Sequence, residues 1–103
     1  MAKSVTPNFR VKPSDLPDAA VVGLLALGFV AADEDRLERF LSLSGLDLDT
    51  LKSRAEDPAL HGGLIDYLLA DEPLLLAFAA EHDLKPAWIQ ALRRKLPGAA
   101  PAP

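Results

Sequence analysis

The sequence predicts an all-α domain, a compact bundle of about six short helices. Three observations predict it. Leu, Ala, Glu, Arg and Asp dominate the middle of the chain, and these residues support helices and their capped ends. The strand formers Val11, Val21, Val22, Val30, Ile65 and Ile89 are scattered, and no segment alternates apolar with polar as a half-buried strand does. Helix-start signals also recur, as aspartates before apolar runs and as prolines in first-turn positions.

Helix 1 is expected from about Asp18 to Ala32, and helix 2 from about Glu34 to Leu43. Helix 2 stops at Gly45, which suits a left-handed C-terminal residue. Helix 3 covers about Leu48 to Glu56 with Asp47 as its N-cap. Helix 4 opens at Asp57-Pro58 and reaches about Leu69. Helix 5 runs from about Glu72 to His82 behind the Asp71 cap. Helix 6 begins at Pro86 and ends before Pro97. Residues 1–16 read as a flexible arm, 17–96 as a single helical domain, and 97–103 as a disordered Pro/Ala tail.

A chain of 103 residues leaves room for one domain with one modest core. Eleven basic against fifteen acidic residues give a net charge of −4, which argues against a dominant phosphate-binding surface. The absence of cysteine excludes disulfides, thiolate metal sites and a cysteine nucleophile. The most apolar run, Ala19 to Ala32, stops at Asp33-Glu34-Asp35. It falls short of the ~20 residues of a spanning helix, and no signal-peptide pattern precedes it. A cytoplasmic protein without a membrane contact is expected.

The chain also repeats itself at a shift of 38 residues. Ala32-Asp33-Glu34 falls on Ala70-Asp71-Glu72, Leu37 on Leu75, Phe40 on Phe78 and Leu46 on Leu84. Val22 pairs with Leu60, Leu27 with Ile65, Phe29 with Tyr67, Val30 with Leu68 and Leu51 with Ile89. Six identities over 37 positions carry little weight alone; their recurrence at equivalent helix positions carries more. The pattern suggests two copies of a three-helix unit closed into a bundle, with helices 1 and 4 equivalent and central.

The run Leu37 to Pro58 (LERFLSLSGLDLDTLKSRAEDP), followed by Asp66 to Leu84 (DYLLADEPLLLAFAAEHDL), resembles an uncharacterised family of short bacterial proteins. That family is catalogued as domain of unknown function 3572. The pattern F-L-x-x-[ST]-G-L-x-x-x-x-L, then D-[YF]-L-L-x-D-E-x-L-L-L-x-F, carries the resemblance over most of residues 19–96. It implies a small helical bacterial protein and transfers no activity, cofactor or site residue.

Candidate chemistry is sparse. Asp33, Glu34, Asp35 and Glu38 cluster, but no calcium-loop spacing or adjacent histidine accompanies them, and acidic residues at helix N-termini are what capping predicts. His61 and His82 lie 21 residues apart without metal-ligand spacing. Ser42 and Ser44 lack a nucleophile elbow. Gly23, Gly28, Gly62 and Gly63 fall inside helices at ~1 kcal/mol each relative to alanine. Close approach of helices 1 and 4 is the simplest reason, and a break of helix 4 at Gly62-Gly63 is the competing one. No catalytic residue, metal ligand or cofactor is assigned, and an enzyme is not expected.

Two binding readings remain. Helices 5 and 6 with their short turn can be read as a helix-turn-helix, offering Lys85, Gln90, Arg93, Arg94 and Lys95 to nucleic acid. Against this, the cations gather at the C-terminal turn, whereas base-reading residues sit near the start of a recognition helix. The other reading rests on Leu74-Leu75-Leu76, which cannot all face one partner because adjacent helical residues differ by ~100°. Helix 5 is then either sandwiched or open on one face. The expected function is a non-catalytic protein-interaction module, self-association included, with Leu74, Leu76 and Trp88 on its surface.

Overall fold

Five aspartates start five of the six helices. The computed structural model describes residues 16–98, with α1 at Ala19–Ala31, α2 at Glu34–Ser44, α3 at Leu48–Ser53, α4 at Pro58–Leu69, α5 at Glu72–Glu81 and α6 at Pro86–Arg93. The carboxylates of Asp18, Asp33, Asp47, Asp57 and Asp71 each accept from backbone N–H groups in the first turn of the following helix, satisfying donors that have no partner within the helix. Asp47 is held below the usual carboxylate range by the Thr50 N–H bond. Its contribution to α3 is therefore complete above the usual carboxylate range and is lost as the pH falls below that range through the lowered value. Only α6 starts without a side-chain cap, behind Lys85.

Helices α1 and α4 form the centre and share the most extensive helix–helix contact, with α2 against both, α5 against α4 and α6 against α4 and α5. Val22, Ala26, Phe29 and Val30 of α1 meet Leu60, Leu64, Ile65 and Leu68 of α4 in the core. Steps of three and four residues link the members of each set along one helical face. Phe40, Leu51, Leu75, Phe78, Ile89 and Leu92 close the core from the other four helices. Leu75 is the buried member of the leucine triplet, Leu74 is half-buried against the core, and Leu76 is exposed.

Helices α1 and α4 come close because residue 23 has no side chain. The imidazole of His61 occupies the space where a Cβ of Gly23 would lie, its Cγ only 2.3 Å from that position. His61 is 1% exposed, and its Nε2–H donates to the Ala55 carbonyl at 2.7 Å. A carbonyl can only accept, so Nε2 carries the proton of this bond, and Nδ1 lies buried beside α1 without a hydrogen-bond partner among the described residues.

Some helix ends differ from those expected, each through its own local turn. Helix 3 was expected to reach Glu56 but ends at Ser53, because the chain turns at Arg54 and Asp57 N–H bonds to the Arg54 carbonyl at 2.8 Å. The Ala55 carbonyl is given to His61. Helix 6 ends before Pro97, as expected, at Arg93, and residues 94–96 tighten into three-residue turns. Helix 5 stops at Glu81, because Asp83 adopts φ 55°. Helix α2 runs one residue past Leu43 before Gly45 ends it at φ 76°. Helix α4 passes through Gly62-Gly63 without a break. Of the glycines expected between α1 and α4, Gly23 alone serves that contact. Gly62 accommodates Arg93 and the Pro97 carbonyl, and Cβ atoms at Gly28 and Gly63 would meet nothing within 4 Å.

Several features recur 38 residues apart. Ala32 N–H bonds to the carbonyls of Gly28 and Val30, and Ala70 N–H to those of Asp66 and Leu68. Gly45 and Asp83 are both left-handed. Phe29 packs edge-on against Phe78 at 5.3 Å, and Tyr67 against Phe40 at 5.5 Å, so each aromatic of one half meets the counterpart of the other's partner. Gly23 and His61, themselves 38 apart, touch each other. Most of the N-terminal arm and of the Pro/Ala tail lies outside the described residues; within them, Leu16 packs on the core and Pro97 accepts from Arg93.

Glycine substitutions separate these roles. Gly23→Ala drives a methyl into the His61 ring and is expected to lose about 1–3 kcal/mol. Gly28→Ala and Gly63→Ala meet open space and gain about 0.5–1 kcal/mol each from helix propensity. Urea denaturation of the three variants checks both signs.

Candidate functional site

An apolar groove of about 430 Å³ opens between α2, α4 and Arg54, the residue that ends α3. One wall is α2 and the turn after it, with Phe40, Leu43, Ser44 and Leu46. The other is the face of α4 that carries Ala59, Leu60, Gly63, Tyr67 and Ala70. Three features make it a groove. Small residues at positions 59, 63 and 70 keep α4 low, and Gly63 leaves its own surface bare. The left-handed turn at Gly45 swings the chain away after α2. The shortness of α3 leaves α4 uncovered towards its start. Ser44 takes up polar groups of this turn, donating to Leu41 O and accepting from Leu46 N–H at 3.2 Å.

Two charges border the groove, Arg54 and Asp66. Asp66 is committed: its Oδ1 accepts from Arg93 Nε at 2.6 Å and its Oδ2 from Arg93 Nη2 at 2.9 Å. Arg93 Nη1 also donates to the carbonyls of Leu96 and Pro97. The Asp66 bonds raise the Arg93 pKa above its ordinary value against the opposing effect of burial, so the guanidinium stays charged at every working pH. Arg54 is exposed and has no ion pair among the described residues. Tyr67 donates its hydroxyl to the Arg36 carbonyl at 3.3 Å, and burial above all pushes its pKa up.

A second, smaller hollow of about 100 Å³ is lined by Asp35, Arg36, Arg39, Tyr67, Asp71 and Leu74. Arg36 is held there, bonding the Phe29 carbonyl at 3.0 Å and lying 3.9 Å over the Phe29 ring.

The residues singled out from the sequence are dispersed in role. Leu74 is half-buried and packs on the core, Leu76 is 49% exposed, and Trp88 is half-buried with the Lys85 ammonium 5.5 Å from its ring centre. Among the nucleic-acid candidates, Lys85, Gln90, Arg94 and Lys95 are exposed, but Arg93 is turned inward and bound on both sides of its fork. The acidic cluster acts through Asp33, which caps α2. Among the described residues no group of three or more His, Asp or Glu is placed to hold a metal ion. No described helix is long and apolar enough to cross a membrane.

The groove itself was missed by sequence reasoning. Two signals pointed to it: Leu43, isolated between Ser42 and Ser44, and a glycine pair in α4 of which packing explains only the first.

A family model described as Protein of unknown function (DUF3572) matches residues 17–99. No curated protein and no solved structure matches the chain.

The Arg93–Asp66 fork is expected to hold α6 and the end of the domain to α4. Because Asp66 is half-exposed, Asp66→Ala is expected to cost about 1–2 kcal/mol. Arg93→Ala, which removes a buried stem as well, should cost about 2–4 kcal/mol. A double-mutant cycle read by thermal and urea unfolding should return a coupling of about 1 kcal/mol or more.

Proposed function

The chain belongs to the family of unknown function matched over residues 17–99, and we propose that it is a non-catalytic module of the cytoplasm acting through protein contact at the α2–α4 groove. The carrying observation is the groove's composition: a wall of Phe40, Leu43, Leu46, Leu60 and Tyr67 above a floor of Ala59, Gly63 and Ala70. Such a surface gains by covering apolar area, and of the polar residues that line it Ser44, Asp66 and Tyr67 already bond within the chain. Its size suits a few apolar side chains presented by another protein, as in a helix-in-groove contact.

The alternative, nucleic-acid binding through α6, keeps four exposed residues and has lost its most central cation to Asp66. The overall charge of −4 weighs in the same direction. Titration with duplex DNA and with single-stranded RNA at low salt is expected to give no salt-dependent binding. A salt-sensitive affinity abolished by Arg94→Glu with Lys95→Glu would favour the alternative.

The groove reading is tested by filling the groove. Gly63→Leu places a side chain into open space and should not destabilise the fold. Wild-type and Gly63→Leu baits, compared quantitatively in lysate of the native cells, should differ by one or a few proteins retained only by the wild type. Identical profiles from two equally folded baits would remove the groove from the function.

A further inference from the structure

Resting on the reading of the groove as a protein-contact site, we infer that its occupant is a second copy of this chain, docked two-fold so that Leu43 of each copy enters the groove of the other. The knob and the hole lie side by side. Leu43 is 71% exposed, the most open of the large apolar side chains among the described residues, and it stands on the lip of the groove it would fill in a partner. A foreign ligand needs only the hole. A patch carrying both knob and hole is self-complementary, and a two-fold dimer makes such a contact twice.

The charges agree. Leu43 sits in the last turn of α2, whose carbonyl end is negative, and no basic residue in that turn offsets it. The groove presents Arg54, exposed and without an ion pair among the described residues. Insertion of Leu43 brings the negative end of one α2 beside the cation on the other groove.

The 38-residue correspondence supplies an internal control. The counterparts of Leu43, Gly63 and Arg54 are Glu81, Leu25 and Leu92. On that side the knob position is charged, Leu25 packs against the core where the other half has a bare glycine, and Leu92 is buried in place of the cation. Knob, hole and cation therefore occur together on one side only, as expected of a surface specialised for contact rather than of helical packing in general.

Sedimentation velocity of the full chain from about 1 µM to about 1 mM tests the inference, this range covering weak and moderate dimers. The wild type is expected to pass from monomer to dimer within it. Leu43→Glu and Gly63→Leu should each raise the dissociation constant by roughly tenfold or more, and Arg54→Glu should weaken it by a smaller factor. Mixing is the decisive arm: Leu43→Glu alters the groove only at its lip and leaves the space beside Gly63 open, and Gly63→Leu keeps the knob, so a mixture with one variant fluorescently labelled should form a heterodimer in which one Leu43 meets one open groove, tighter than either variant alone. Melting curves establish that the variants are folded; if Gly63→Leu is not, Arg54→Glu and Leu43→Glu carry the test. A wild type that stays monomeric throughout overturns the inference, as does a dimer indifferent to Leu43→Glu and to whichever folded groove variant is measured. A monomer whose groove retains a different protein, lost on Gly63→Leu, also refutes the second copy while leaving the protein-contact reading standing.

Discussion

The contact of His61 with Gly23 sets the rest of the structure. An imidazole fills the place of a missing Cβ, so α1 and α4 lie closer there than any larger residue at position 23 allows. The ring is anchored from its other side by the Ala55 carbonyl, in the turn that follows α3. Beyond that turn the start of α4 carries Ala59, Leu60 and Gly63, which line the groove. One hydrogen bond thus joins the close approach in the core to the turn beside the groove. Overpacking at position 23 has no small remedy, because close-packed interiors have no slack to absorb a methyl.

Around this centre the two halves use similar chemistry to different ends. Each has an aspartate-capped second helix, a left-handed residue before its third helix and an edge-on aromatic contact to the other half. Where they diverge, the second half is tied down and the first is left open. Arg93 secures α6 to α4 through Asp66 and collects the carbonyls of Leu96 and Pro97. Its counterpart, Ala55, has no side chain with which to do this, and α3 has no such tether.

Most of the fold was legible in the sequence because it is written in local chemistry. Aspartate caps, first-turn prolines and Gly45 placed the helix starts and the end of α2 to within a residue or two, since each acts within one turn of itself. What was not legible depended on neighbours rather than on periodicity. The residues after Ser53 continue the helix-forming composition of α3, yet the chain turns at Arg54 and its Ala55 carbonyl accepts from His61. The leucine triplet signalled conflict between faces, but neighbours decide which leucine is buried, and they chose Leu75. The inward turn of Arg93 was invisible for the same reason: periodicity assigns a basic residue to the surface, and only the space above Gly62 with Asp66 beside it makes burial favourable.

The glycines of the central helices show where packing stops accounting for the sequence. Each is unfavourable in a helix relative to alanine, so each needs a compensation. Gly23 has one in the His61 ring and Gly62 in the Arg93 guanidinium and the Pro97 carbonyl. Nothing inside the molecule compensates Gly63, whose missing side chain faces only the groove. A local rule broken without an internal gain is the mark of a functional surface more often than of a stabilising one. Leu43, left 71% exposed on the same lip, is the complementary violation, an apolar side chain where solvent favours a polar one. The two departures lie side by side, and one contact that fills the glycine's space with a leucine answers both. Gly28 has no such neighbour: it is exposed on α1, and nothing in the structure explains it.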